Sequence, residues 1–175
     1  GATKFLKSQT TGAEGTDVTT LTAFTSDGFT IGAGWEVNKA SDTYVAWTWK
    51  AGGSKNTFNV DDVGYATAAA AGLTGGDITP TGASVGTKQG FSIIKYAGTN
   101  NASAQTISHG LSQKPDFMIV KQLTDSSTDW TVYHSSIGAT NYLVLNTQGS
   151  STPAAGPWNN TEPTSSVFSV GSGYN

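Results

Sequence analysis

The chain has 175 residues, a net charge of −3 and a pI near 5.1, with 12% of residues charged and 36% hydrophobic. That length suits one domain with a sizeable core, and the lack of a basic excess argues against duplex nucleic acid as a partner. Cysteine is absent, which excludes disulfides, thiol chemistry and Cys-based zinc sites, and no run approaches the ~18 apolar residues of a membrane span, so membrane insertion is not expected.

Charge is about half its usual share. Its place is taken by 22 glycines and many Thr and Ser residues. Thr favours strands, and Gly and Ser favour turns. A disordered Ser/Thr/Gly chain would have a similar composition, but five Trp, seven Phe and six Tyr argue against it. The expected class is therefore all-β.

In chain order, residues 1–23 read as an N-terminal arm or edge strand, and 24–175 as a single β-sandwich domain. Phe24 to Ile31 reads as a short strand, with a turn or bulge at Ser26-Asp27-Gly28. Gly34 to Val37 starts another. Residues 44–50 give the clearest strand, with Val45, Trp47 and Trp49 on one face. Trp47, Trp49 and Trp130 are expected in the core. The acidic pair Asp61-Asp62, four alanines and Gly72 predict one short helix near 61–71. Strands are then expected at 90–96, 105–111, 116–121, 130–134, 142–146 and 167–170, the first and third of these interior. Short strands at this spacing point to a jelly-roll-like β-sandwich.

One stretch is used twice. Thr25-Ser26-Asp27-Gly28-Phe29-Thr30-Ile31-Gly32-Ala33-Gly34-Trp35 aligns without a gap on Thr164-Ser165-Ser166-Val167-Phe168-Ser169-Val170-Gly171-Ser172-Gly173-Tyr174. The first copy leads into the Trp-bearing 44–50 segment and the second has no such sequel. The domain is thus expected to lack a final strand. The edge near Val167–Val170 is expected to be paired by residues 1–23 or by a neighbouring subunit, making a homo-oligomer.

Catalytic signals are weak. His109 and His134 are the only histidines and lie outside metal-ligand spacing. Ser108, Ser135 or Ser136 could be grouped on paper with Asp116 or Asp129, but no Gly-x-Ser-x-Gly elbow is present. The three glutamates, Glu14, Glu36 and Glu162, do not suggest a paired-carboxylate cleft. Neither a catalytic residue, a metal site nor a cofactor is expected. The ligand-binding candidates are aromatic: Trp35, Trp158 with Asn159 and Asn160, and Tyr174, a set suited to stacking on a sugar face.

Several longer runs carry a resemblance. They are Tyr44-Val45-Ala46-Trp47-Thr48-Trp49-Lys50-Ala51-Gly52-Gly53, Gly90-Phe91-Ser92-Ile93-Ile94-Lys95-Tyr96, Ile107-Ser108-His109-Gly110-Leu111, Pro115-Asp116-Phe117-Met118-Ile119-Val120-Lys121, Trp130-Thr131-Val132-Tyr133-His134, and Trp158-Asn159-Asn160-Thr161-Glu162-Pro163 with the following Val167-Phe168-Ser169-Val170-Gly171. In this order they resemble a domain of unassigned function from structural and tail-fibre-like proteins of bacteriophages, especially marine ones. The resemblance covers most of residues 20–175. It implies a virion protein at the extracellular surface, a tail-fibre, tail-tip or capsid decoration component with other virion proteins as partners and no catalytic residues to transfer. Its other implication is attachment to a host surface, and a carbohydrate-binding module reading host glycan is the alternative function. In that family the Phe-Ser-Val-Gly run is followed by a Tyr-(Val/Ile)-Ala strand. The expectation is that the chain stops short of it.

Overall fold

A computed structural model describes residues 1–174. The backbone groups into two units, one made of Gly1–Thr48, Val120–Trp130 and Leu145–Gln148, the other of Trp49–Ile119, Thr131–Val144 and the chain from Gly149 onward.

In the first unit, β1 (Lys4–Phe5) pairs with β2 (Gly15–Thr16), and β3 (Leu21–Phe24) pairs antiparallel with β4 (Phe29–Ile31). Thr25 donates its backbone N–H to Gly28 O, closing the turn between β3 and β4. The single helix, α1 (Trp35–Asn38), follows. The 10–14 stretch is tied to 123–130: Glu14 N–H donates to Leu123 O, Thr11 Oγ1 to Ser126 O and Trp130 Nε1 to Thr10 O.

The second unit begins with β5 (Phe58–Val60) and β6 (Val63–Tyr65), then β7 (Gly82–Gly86) and β8 (Phe91–Lys95), in the order β6-β5-β7-β8. The β5–β7 pair is parallel and the others antiparallel. Phe58, Ala68, Leu73, Ala83 and Val85 form the core cluster against this sheet, with Val60, Tyr65, Ala71, Ile94 and Leu111 packed around it. Next come β9 (Gln105–Ser108), β10 (Phe117–Val120), β11 (Thr131–His134), β12 (Asn141–Val144), β13 (Thr152–Pro153) and β14 (Val167–Val170). Strands β10 to β13 form a second four-stranded sheet in chain order, while β14 pairs antiparallel with β9. The fold is all-β, with several small sheets and no barrel, consistent with the sandwich-like expectation.

Several local expectations are corrected. No helix forms near 61–71. Asp61 and Asp62 have φ of 48° and 67° and form the two-residue turn of the β5–β6 hairpin, the left-handed pair that such a turn requires. The alanines after it form turns that place Ala68 and Leu73 in the core cluster. Four alanines cannot nucleate a helix against that tertiary demand, although Gly72 does adopt the left-handed conformation, at φ 73°. Phe24 to Ile31 is a hairpin rather than one strand, and Gly34 to Val37 enters α1. Residues 44–50 lie in no strand, and Trp47 and Trp49 are exposed instead of buried. Trp130 is only half-buried, its indole held by Thr10 O. Both β8 and β10 sit at a sheet edge, not in an interior position. Residues 1–23 pair among themselves and with β4, not with β14.

Candidate functional site

The two copies of the repeated run fold alike at their glycines. In the first, Gly32 N–H donates to Thr20 O at 2.6 Å, and a Cβ on Gly32 would run into the carbonyl oxygen of Thr19. In the second, Gly171 N–H donates to Pro157 O at 3.2 Å, and a Cβ there would run into the carbonyl oxygen of Gly156. Each strand therefore ends by laying a glycine flat against a neighbouring backbone, a close approach that only glycine permits. The repeat visible in the sequence is thus a repeated device in the fold.

After that device the copies diverge. In the first, Gly34 N–H donates to Thr19 O, Asn38 Nδ2 to Gly32 O, and Asn38 N–H to Gly34 O, so α1 is folded back on the glycine pair. The Tyr44 hydroxyl accepts from Lys39 N–H at 2.9 Å and donates to Trp35 O at 3.2 Å, clamping the following segment to the end of α1. These bonds hold backbone and leave the rings outward. Trp35 is 71% exposed, Val45 80% and Trp47 75%, and Phe24, paired with Phe29 across the hairpin, is exposed as well. This unit presents its large apolar side chains to solvent.

Beside the second copy, next to the Pro157 that receives Gly171 N–H, Trp158 goes inward, whereas Tyr174, the counterpart of Trp35, stays 45% exposed. Trp158 is 1% exposed. Its indole meets Tyr133 edge to face, with centroids 6.0 Å apart, and its Nε1 has no hydrogen-bond partner among the described residues. The buried Tyr133 hydroxyl donates to Glu162 Oε2 at 2.5 Å; Lys114 Nζ donates to the same oxygen at 2.6 Å, and Ala139 N–H to Oε1 at 2.7 Å. Donation from Lys114, then from Tyr133, pulls the Glu162 carboxyl down to about 2. Burial, followed by the Glu162 contact, pushes the Tyr133 phenol up. Sequence reasoning missed this latch. Its only signal was a glutamate, one of three in the chain, standing between Asn-Asn-Thr and a proline.

The expected ligand set is therefore divided. Trp35 is exposed in the first unit. Trp158 belongs to the core of the second, so its faces are already covered and cannot receive a sugar. Asn159 and Asn160 are exposed, at φ of 52° and 49°, and Tyr174 is half-exposed beside Gly156.

The titratable groups hold turns or tie distant segments together. Asp17, Asp61, Asp77 and Asp125 are each pulled below the ordinary carboxylate value, first by the side-chain hydroxyl of Thr19, Thr87, Thr106 and Ser127 respectively and then by a backbone N–H of that same residue. His109 is buried; Leu111 N–H donates to its Nδ1, which leaves Nε2–H to donate to Thr164 O. Burial lowers its pKa. His134 Nδ1 receives Ser136 N–H and lies 2.8 Å from Ser136 Oγ, a local turn. Among the described residues no carboxylate hydrogen-bonds either ring. No group of three His, Cys, Asp or Glu side chains that could hold a metal lies together among the described residues. No helix there is long and apolar enough to cross a membrane.

A family match covers the whole chain. The chain belongs to the family described as a domain of unknown function, DUF7483, over residues 1–175. No curated protein matches it. No solved structure matches it. The family's description assigns no activity.

Proposed function

We propose that this DUF7483 domain is a non-enzymatic structural component of a bacteriophage virion. It would be a tail-fibre, tail-tip or capsid decoration domain at the particle surface, acting in assembly and host-surface attachment. The observation that carries this reading is the outward aromatic surface of the first unit. Aromatic side chains bury ~150–250 Å² each, so Phe24, Trp35, Tyr44 and Trp47 together offer on the order of 500 Å². Exposed aromatic area on that scale within one unit suits contact with other proteins. Carboxylates committed to hydrogen bonds with hydroxyls and backbone N–H groups and held ionised are poor general acids, which favours a binding role over a catalytic one. The ordered resemblance to phage tail-fibre-like sequences supplies the setting.

The test is immunogold labelling of purified phage particles from the source with antibody to this domain. Decoration of tails or capsid surface is expected. Label confined to the host cytosol, with bare particles, overturns the reading.

A second reading, a carbohydrate-binding module, is favoured by the largely exposed indoles of Trp35 and Trp47, since sugars stack on such rings. Titrating host surface polysaccharide while following Trp fluorescence separates the two. A saturable shift lost in Trp35→Ala supports glycan recognition, and a flat titration supports architecture alone. Steady release of shorter fragments from that polysaccharide would refute both.

A further inference from the structure

Strand β8 (Phe91–Lys95) is one edge of the four-stranded sheet β6-β5-β7-β8 and lies wholly within the second unit. The direction of its backbone groups follows from its neighbour. Ala83 N–H donates to Thr57 O, and Val85 O accepts from Asp61 N–H, so Ala83 and Val85 turn their backbone groups towards β5. Successive residues of a strand point these groups to opposite sides, which leaves Gly82, Ser84 and Gly86 to bond β8. Their register partners are Lys95, Ile93 and Phe91. The N–H and C=O of Ser92 and Ile94 therefore point away from β7, at the open side of the sheet, where no strand of the described residues pairs with them. Ile93 is 58% exposed and Lys95 is exposed, while Ile94 packs on the core cluster. The strand has no proline and no bulge against β7, two of the devices that keep edges apart.

We propose that β8 pairs antiparallel, edge to edge, with β8 of a second copy, about a two-fold axis at Ile93. The strand itself chooses this register. Full overlap of its five residues puts the axis at the middle one. Centring on Ser92 would need Gly90, which is held at φ 66° in the turn before β8, and centring on Ile94 would run past the end of the strand. With the axis at Ile93, Ser92 stands opposite Ile94 of the second copy, and the two exchange both backbone bonds, as a hydrogen-bonded pair does. Symmetry repeats this pair. Ile93 faces its own copy as a closer, non-hydrogen-bonded pair, which covers one exposed β-branched side chain with another. Lys95 stands opposite Phe91, so the two lysines lie at opposite ends of the pairing and no like charges meet. The Phe91 ring already stacks on Trp49 at 6.4 Å, and the pairing does not require it. The interface is isologous and closes at two copies, since it occupies the open β8 edge of both sheets. It buries less than the ~800 Å² per partner of a standard complex, so the dimer is a weak one. The inference does not depend on the virion reading.

Sedimentation from about 10 μM to about 1 mM, a range that spans weak association, should show monomer giving way to dimer. Ser92→Pro removes an N–H that points off the sheet and makes no bond to β7, a place where an edge strand tolerates proline. It should keep the unfolding midpoint close to that of the parent chain and abolish the dimer. Ile93→Lys sets like charges face to face and should weaken the dimer about fivefold. Because the chain has no cysteine, a single introduced thiol reports the axis. Under mild oxidation Ile93→Cys should give a covalent dimer, since directly opposite residues bring their Cβ atoms within disulfide reach. Lys95→Cys should not, its two copies standing four positions apart along the pair. A monomer throughout the range overturns the proposal and leaves the edge to a strand of another protein. So does a dimer that Ser92→Pro and Ile93→Lys leave unchanged, or one in which Lys95→Cys cross-links and Ile93→Cys does not.

Discussion

The two units handle apolar side chains in opposite ways. Every buried hydrophobic residue, from Phe58 through Val85, Ile107 and Tyr133 to Trp158 and Val170, belongs to the second unit. In the first unit, within residues 1–48, only Gly34 is fully buried, while Phe24, Trp35, Val45 and Trp47 face solvent. Both units use the same strand-glycine device, so the contrast does not come from a different local fold. It comes from what the large aromatics near the device are given to pack on. In the second unit the Trp158 indole has Tyr133. In the first, hydrogen bonds between the Tyr44 hydroxyl or the Asn38 side chain and backbone atoms hold the chain and leave Trp35 and Trp47 largely exposed. A unit held by backbone bonds and small polar caps can offer its aromatics to a partner; one held by its aromatics cannot.

The strongest test of the contrast is truncation of one tryptophan in the core. Trp158→Ala removes a fully buried indole and the edge contact to Tyr133, and should cost about 3–5 kcal/mol in chemical denaturation. Trp158→Phe should cost less, because Nε1 makes no hydrogen bond among the described residues and a smaller ring still meets Tyr133. Equal losses for the two variants would mean that the indole is held by something other than packing.

The shared device gives the next largest effect. Gly171→Ala and Gly32→Ala each force a methyl group into a backbone carbonyl that cannot swing away. Both should destabilise, by about 1–3 kcal/mol for overpacking, but with different readouts. Gly171→Ala lies beside the core and should lower the global unfolding midpoint. Gly32→Ala should instead raise amide exchange in β3, β4 and α1 with little change in the global midpoint. Identical behaviour would dissolve the distinction between the units.

Acid should expose the second unit's polar supports in two stages. His109 has a folded pKa below its ordinary 6.5. The unfolded chain therefore binds the proton more readily, and stability falls as pH drops below about 6.5. Glu162 has a folded pKa of about 2 against an ordinary 4.5. Its contribution is complete above about 4.5 and disappears as pH falls from there towards 2. Urea midpoints measured from pH 7.5 to 2.5 should show both declines. His109→Gln should flatten the upper one and Glu162→Gln the lower. Glu162→Ala at pH 7 should cost about 1–3 kcal/mol, the range for a buried hydroxyl left without its acceptor, here that of Tyr133. Lys114→Ala should cost less, since its pair with Glu162 is exposed.

The all-β class and the strands from Phe91 to Val170 were legible because alternation and turn residues are local signals. The hairpin at Asp61-Asp62 was not. An acidic pair before alanines is an equally good helix start, and only the pairing of Val60 with Val63 decides between them. The position of Trp47 was misread for a related reason. Alternation marks a segment as able to form a strand, but cannot say whether this chain supplies the neighbour. Trp158 was misplaced because its Pro- and Asn-rich setting reads as loop, while burial depends on Tyr133 arriving from a distant strand. The repeat was the most informative local signal, and its meaning lay in the glycines more than in the aromatics.

The smallest expected effect concerns Trp35. Its backbone oxygen receives the Tyr44 hydroxyl, but its ring is 71% exposed. Trp35→Ala removes the ring and keeps the oxygen. Exposed side chains away from caps, cavities and buried polar groups usually change stability by no more than about 0.5 kcal/mol, so the unfolding midpoint should stay within that margin. A hydrophobic dye should report the change instead, with less bound fluorescence than the parent chain, because the lost area was accessible. Trp158→Phe provides the opposite pattern, a measurable stability loss with dye binding unchanged in the folded state. If Trp35→Ala destabilised as strongly as Trp158→Ala, the first unit would be using its outward aromatics to hold itself together, and the surface would have to be reread as a core.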